Sequence, residues 1–385
     1  MAQKNIYFKA YEDLFDPRSG GFETLLNEAI PPYNELWYKK YFPKAPEARP
    51  IDAEGKAYFK AVEIEESSEP MMLPRAPFSP PKEGSKEGFS FYLDSLWDFG
   101  FSFSITASDR LRYEKMATEM GAKEGGEALM KRYLHNVTDL IKGANASYSN
   151  ICAQILSKGE WKYQTPTGIQ ALGKCKEIDP SFKITATTLP WSDPNATIIE
   201  DLQKAVELIR EKTRYDGMLT AKMSLNTFKL VQNNKAVREA VATTIVLGGT
   251  AVQSHEIVTI DKFNQYVSDN SNYLPIIELV EEKQILQDST VFRKTVNGWQ
   301  DEMVIVSPAG IQGFMEYAYT EELMVFRNLP NRNVQWIDGG LFGLMNWKSS
   351  LDNRQPIDIT EILATGAPSL RVFKKWVQID TSKVV

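Results

Sequence analysis

His135 and His255 are the two histidines of this chain, and Cys152 and Cys175 its two cysteines, so any metal centre or nucleophile that needs an imidazole or a thiol would be built on these. Nothing in the sequence completes a metal site around His135, which sits beside Asn136 in a strongly helical stretch and reads as a structural or surface residue. Neither cysteine is flanked by groups that would lower a thiol pKa. Gly248-Gly249 and Gly339-Gly340 are lone pairs that read as turns. Glu65-Glu66 and Glu281-Glu282 are adjacent carboxylates in polar stretches, and such neighbours do not by themselves make an acid–base pair. There is no G-x-S-x-G, no phosphate loop and no H-E-x-x-H. No catalytic, cofactor-binding or metal residue is therefore expected. An enzyme of unrecognised type stays as a competing reading.

The elements must then be read for something other than chemistry. A chain of 385 residues exceeds one compact core, so two or three lobes are expected. Its hydrophobic share of 43% and charged share of 24% are those of an ordinary folded protein. The formal net charge of -6 argues against a protein that wraps DNA regardless of sequence, though not against a container for it. Two cysteines do not make a disulfide framework, which suits a reducing cytoplasm. The start, MAQKNIYFKAYEDLF, lacks a signal pattern, and AVATTIVLGGTAV is too short and too rich in Thr and Gly to span a bilayer, so a soluble chain with no membrane partner is expected.

Met1 to Pro50 is rich in aromatics and proline, with Tyr33, Trp37, Tyr38, Tyr41 and Phe42 between prolines. Such a segment has no core of its own, yet is too aromatic for a disordered tail. It reads either as an arm whose aromatics bury against something else or as a leader packed on its own domain. From Ala57 to Ile105 the pattern is that of a long hairpin: AYFKAVEIE alternates, and so does LWDFGFSFSI from Leu96 to Ile105. The segment between them is dense in Pro, Gly, Ser and charge and too long for an ordinary turn. It reads as an arm over a neighbouring subunit or as a surface loop.

The clearest helix follows, with apolar residues at Met130, Tyr133, Leu134, Val137, Leu140, Ile141, Ala144, Tyr148, Ile151, Cys152 and Ile155, and Gly159 as its stop. About thirty residues give a rod of about 45 Å, with Gly143 as the place where it would bend. Later, Asn297-Gly298 is a hairpin turn signal. RVFKKWVQID closes the chain as an alternating strand.

Thr188 to Val241 reads as a strand end, a helix, a short strand and a second helix. Asp193 is expected to cap the first helix, with Pro194 at its first position. Ile198, Ile199, Leu202, Ala205, Val206 and Ile209 form one apolar stripe. Arg214 to Gly217 breaks that helix, Met218 to Met223 is a strand, and Ser224 caps a helix carrying Leu225, Phe228 and Leu230. The order W-S-D-P, helix, strand, helix resembles a segment of the lambda-like major capsid proteins of tailed bacteriophages (the E family). The aromatic arm, the hairpin with its Pro-rich tip, the long helix ending at Leu156 to Gly159 and the run MVIVSPAGIQGFMEYAYTEELM extend the resemblance over most of the chain. The region DGGLFGLMNWKSSLDNRQP is more aromatic than that family suggests.

The resemblance implies an α+β chain of Hong Kong 97-type capsid fold. On this sequence it implies an N-terminal arm over 1–56, an extended β-hairpin loop over 57–106 and a peripheral domain with a long spine helix over 107–186. An axial domain over 187–334 and a return to the peripheral domain over 335–385 complete it. It implies a major capsid protein that assembles as homo-pentamers and homo-hexamers into an icosahedral shell around double-stranded DNA, with no sequence-specific DNA contact, no cofactor and no membrane. Trp37, Tyr38 and Phe42 would bury on one neighbour, and Met71, Met72, Leu73, Arg75 and Phe78 on another. A scaffolding protein, a portal and a decoration protein are the further partners, and the virion, assembled in a bacterial cytoplasm, is the expected location. The shell of a nanocompartment shares the fold and is the alternative. Some such shells crosslink a loop lysine to a neighbour's asparagine, which would involve Lys82 or Lys86 and Asn346 or Asn353. The lambda-like group strengthens its shells in other ways, so this is not expected here.

Overall fold

The computed structural model describes residues 11–16, 18, 22–23, 36–52, 56–64, 89–120, 122–164, 170–176, 178–243, 257–270, 273–280, 283–287, 293–349 and 357–384. In chain order the elements begin with a short helix α1 (Trp37–Tyr41), then β1 (Tyr58–Ile64), β2 (Phe89–Ser95), β3 (Trp97–Ile105), α2 (Ala107–Met120) and α3 (Ala122–Lys158). Next come β4 (Glu160–Gln164), β5 (Gln170–Lys174), β6 (Lys183–Ala186), α4 (Ile198–Thr213), β7 (Leu219–Met223), α5 (Leu225–Asn233), α6 (Lys235–Thr243) and α7 (Ile260–Asn270). The last are β8 (Ile276–Leu279), β9 (Lys283–Gln287), β10 (Arg293–Asn297), β11 (Met303–Pro308), β12 (Gly313–Ala318), α8 (Glu321–Phe326), β13 (Arg332–Ile337), β14 (Phe342–Ser349), β15 (Ile357–Leu370) and β16 (Val377–Val384). The chain is α+β, and hairpin, long helix and second lobe follow one another in the expected order.

Helix α3 is the brace. Its 37 residues span about 55 Å, and it runs unbroken through Gly143, where the sequence suggested a bend. Its apolar stripe, from Leu129 through Tyr133, Val137, Leu140, Ile141, Tyr148, Ile151 and Ile155, is buried. That stripe packs on a sheet in which β15 lies between β3 on one side and β12 and β14 on the other, with β13 beyond β14. Aromatic pairs fasten the two: Tyr148 stacks on Phe342 at 5.1 Å, and Phe103 meets Tyr133 edge-on at 5.7 Å. The helix ends at Gly159, whose φ of 74° is the left-handed conformation that glycine adopts without strain. Its last carbonyls are taken by side chains of the C-terminal segment, Trp376 Nε1 on Leu156 and Gln378 Nε2 on Ser157, both at 2.8 Å.

A second sheet, in the order β6-β16-β11-β7-β8, mixes parallel and antiparallel pairs. One face of it, with Ala221, Met223, Val304, Val306, Val377 and Ile379, joins α4 to α7 in a separate core. Since β11 is buried along its whole length, the other face is covered too, and Ile305 on that face belongs to the α3 core. The two lobes therefore share one sheet as a wall.

Three further expectations change on the structure. The partner of β1 is β2, Tyr58 opposite Ser95 through Ile64 opposite Phe89, while the alternating Leu96 to Ile105 stretch leaves the hairpin and pairs with β15. Asp193 does not cap α4: its carboxylate accepts from Asn195 N at 2.8 Å, and α4 starts at Ile198 with Thr197 before it. Asn297-Gly298 is not a hairpin turn between β10 and β11. Instead β10 pairs with β9, and Gly298 lies against α3, where a Cβ would meet the Asn150 carbonyl at 2.7 Å. The Ser224 cap holds, with its hydroxyl accepting from Thr227 N at 3.2 Å.

Candidate functional site

Residues 36–52 form a strap laid over both lobes. Trp37 Nε1 donates to Ser149 and Tyr38 donates its hydroxyl to Asn145 at 2.7 Å, both on α3. The Lys39 ammonium sits 2.6 Å from Asp338, and Lys40 and Tyr41 reach the two oxygens of Glu278 on β8 at 2.9 and 3.0 Å. The backbone then runs beside β12, Ala45 N donating to the Met315 carbonyl and Arg49 N to that of Tyr317. Arg49 closes the strap on Glu316, whose buried carboxylate also receives Arg371 at 2.8 Å and Ser369 at 3.0 Å.

This corrects one expectation. Tyr38 and Phe42 have no exposed surface in their own chain, and Trp37 is largely covered, so these aromatics fill the core along α3 instead of a neighbour's surface. The physical reason is hydrogen bonding: Tyr38 and Trp37 each find a polar partner on α3, which lets their rings bury without an orphaned donor. The other candidates, Met71, Met72, Leu73, Arg75 and Phe78, lie outside the described residues.

Further upstream, Tyr11 donates to Asp358 at 2.7 Å and packs edge-on against Phe15 and Tyr133. Burial, with the Asp358 charge, drives the Tyr11 hydroxyl pKa far above its ordinary value. Burial also raises Tyr133, to about 12, against the hydrogen bonds from Thr360 and Asn346 that lower it. Asn346 is itself wholly buried, its amide donating to the Leu14 carbonyl at 2.8 Å, so it is closed to a crosslink with a neighbour. Lys82, Lys86 and Asn353 lie outside the described residues.

The residues that could do chemistry do not converge. His135 is an exposed helix residue 3.3 Å from Asp139 one turn on. Cys152 and Cys175 are buried thiols, not joined in a disulfide. Gly339-Gly340 make a turn with φ of 62° and 97°. His255, Gly248-Gly249, Glu65-Glu66 and Glu281-Glu282 lie outside the described residues. Among the described residues no three His, Cys, Asp or Glu side chains gather as a metal site, and no helix is long and apolar enough to cross a membrane.

What does stand out is surface. The pair β1–β2 is a two-stranded sheet of its own, meeting the body at its base through β5 and β15. Exposed apolar side chains include Met218, just before β7, Ile311, between β11 and β12, and Met324, Val325 and Leu329 on and after α8. The sequence did not mark Glu278 and Glu316, the half-buried and buried carboxylates that hold the strap, nor the buried Lys222 beneath it. A single charged residue inside an alternating strand carries no signal of its partner.

No protein-family model matches the chain, and no curated protein sequence matches it. Among solved structures it resembles a phage-related protein from Bordetella bronchiseptica RB50, with 13% identity over 94% of this chain and 97% of that one, at a TM-score of 0.48. A protein assigned as the capsid protein of an E. coli CFT073 prophage gives 11% identity over 93% and 97%, at 0.49. A chain of the bacteriophage PhiM1 mature capsid gives 11% over 87% and 84%, at 0.42. The chain is similar in structure to phage capsid proteins.

Proposed function

We propose that this chain is the subunit of a closed protein shell, a major capsid protein whose copies form pentamers and hexamers around packaged DNA. The observation that carries the reading is the β1–β2 ribbon. Its seven residue pairs stand in a sheet of two strands, and an isolated two-stranded ribbon is marginal in water unless something packs on it. In the single chain the ribbon meets the body through β5 and β15; in a shell, a neighbouring copy packs on it. Arms of this kind add contact area between copies without enlarging each core. Every large apolar side chain so covered is worth about 1.5–3 kcal/mol. Heterologous contacts that close by rotation give rings, which suits pentamers and hexamers.

In this reading the divisions at 56, 106, 186 and 334 separate arm, extended loop, peripheral domain, axial domain and the return to the peripheral domain. The role is structural, not catalytic. The net charge of -6 suits a wall that DNA slides along without being trapped. A scaffolding protein, a portal and a decoration protein are the partners this role calls for. The site of action is the virion, built in a bacterial cytoplasm.

Negative-stain electron microscopy of the purified protein, expressed with and without its neighbouring genes, tests the proposal. Closed shells or rings of five or six subunits are the expected result. A small monodisperse monomer or dimer under every condition would overturn it.

A further inference from the structure

Lys222 is the one wholly buried lysine among the described residues. Its Nζ lies 2.5 Å from Thr220 Oγ1, 2.8 Å from Ser307 Oγ and 3.3 Å from the Pro308 carbonyl. The Tyr41 ring of the strap closes over it, 5.6 Å from Nζ to ring centre. Gln312 shares the same Pro308 carbonyl through Nε2 at 2.6 Å, and its backbone N–H donates to the Tyr41 carbonyl at 2.8 Å. The strap is thus seated on the amine's own surroundings.

Two tendencies compete at this nitrogen. Three oxygen acceptors suit the three donors of an ammonium, whereas burial with no direct carboxylate partner among the described residues favours the neutral amine. Facing it are the Thr220 hydroxyl on its own strand, Ser307 and the Pro308 carbonyl on β11, Lys40 and Tyr41 on the strap, and Glu278 on β8. Burial is the strongest influence and brings Lys222 down to about 7, with Glu278 pulling upward and Lys40 pushing further down. Burial would raise the Glu278 carboxyl, but Lys40, Tyr41 and the Lys222 charge outweigh it and hold it below the usual carboxylate range. A base that holds its proton less tightly folded than unfolded gives stability that rises as pH climbs above about 7.

We propose that Lys222 is a proton-operated latch on the strap. With the amine neutral, Glu278 is left to hold Lys40 and Tyr41; with the amine protonated, the ammonium draws on the Glu278 carboxylate and repels Lys40, and the strap loosens from the second lobe. The step is proton exchange with water, and no covalent bond changes. It concerns the single chain and does not depend on the assembly reading.

Hydrogen exchange of strap peptides over 36–49, corrected for the intrinsic pH dependence, is the test. Wild type is expected to exchange about fivefold faster at about pH 6 than at about pH 8.5, while peptides from α4 keep one rate. Lys222→Met should abolish that ratio, and Glu278→Gln should leave the strap loose at both pH values. Should Lys222→Met fail to fold, Lys40→Gln, at a side chain 57% exposed, shrinks the ratio instead. A wild-type strap with no pH response, or an undiminished response in the folded variant, overturns the proposal.

Discussion

Arg49 reaches from the strap to Glu316 on β12, guanidinium to carboxylate at 2.7 Å, and the carboxylate has no exposed surface. Arg371 holds its other oxygen at 2.8 Å. One buried anion therefore ties an N-terminal segment, a central strand and the C-terminal segment together. Removing Arg49 leaves Arg371 in place, so Arg49→Met is expected to cost about 1.5–3 kcal/mol, the range for a hydrogen bond to a charged group. Glu316→Ala leaves two arginines facing an empty place and is expected to cost more, about 3–5 kcal/mol. Urea unfolding of both variants measures the order, and equal costs would contradict it.

Two glycines should respond to alanine with opposite signs. Gly143 lies in the interior of α3, and a Cβ there would meet nothing within 4 Å. Gly143→Ala is expected to stabilise by about 0.5–1 kcal/mol, since a helix interior favours alanine. Gly313 lies where β12 passes β15, and a Cβ would run into the Ser369 backbone carbonyl, with the Phe42 ring at 3.1 Å beyond it. Backbone does not move aside, so Gly313→Ala is expected to lower the thermal midpoint and unseat the strap. Calorimetry of the two variants gives both signs.

Asp201 fastens the start of α4 to the chain before it. One oxygen accepts from Trp191 Nε1 at 2.8 Å and the other from Thr187 N at 2.9 Å; Asp201 and Trp191 are buried, while Thr187 lies at the surface. Two donors and two acceptor oxygens match, which sets a sharp expectation for the amide. Asp201→Asn keeps the shape but turns an NH2 toward one of the two donors, leaving it unpaired. The expected cost is about 1–3 kcal/mol, and Asp201→Ala should cost at least as much. A neutral result for the amide in denaturant unfolding would show that the pair is not held as described.

The sequence carried these features unevenly. Helix α3 was legible because its apolar residues recur every three or four positions, and Gly159 marked its end. Strand β1 was legible too, but its partner was not: period-two alternation says which residues share a face, not which strand lies alongside, and Leu96 to Ile105 alternates as well as β2 does. Helix α2 went unread because most of its side chains face solvent, so no apolar stripe announces it. Aromatic density in the arm signalled burial at Tyr38 and Phe42 without saying against what. Asp193 and Thr197 both have capping side chains. Competition decided: Asp193 turns onto Asn195, and the Thr197 hydroxyl pairs with Thr188 at 2.9 Å.

Asp179 gives a pH-dependent expectation at the surface. Its carboxylate accepts from Ser181 N at 2.9 Å and meets Lys212 at 3.1 Å, and these partners, the Ser181 backbone foremost, hold its pKa at about 2. A depressed carboxylate contributes stability above its unfolded pKa and loses it as pH falls through the folded one. The gap between wild type and Asp179→Asn should therefore be constant above about pH 4 and close between there and about pH 2. Side-chain NMR titration of Asp179 reads the same window directly. A midpoint near the ordinary carboxylate value would remove the basis for it.

The assembly reading makes its own demand on the ribbon. If β1–β2 serves contact between copies, replacing residues 61–92 by a short Gly-Ser turn should leave the body folded, because Ala57, Phe59 and Leu96, the core residues flanking the cut, are kept. The shortened chain should keep its helix content and unfold cooperatively, yet fail to form shells or rings under conditions where the full chain does. Circular dichroism and electron microscopy of the same preparation separate the two effects. Loss of folding would mean that the ribbon is part of the core. Intact shells from the shortened chain would move the contact between copies to the exposed apolar groups at Met218 and Ile311 or at Met324, Val325 and Leu329.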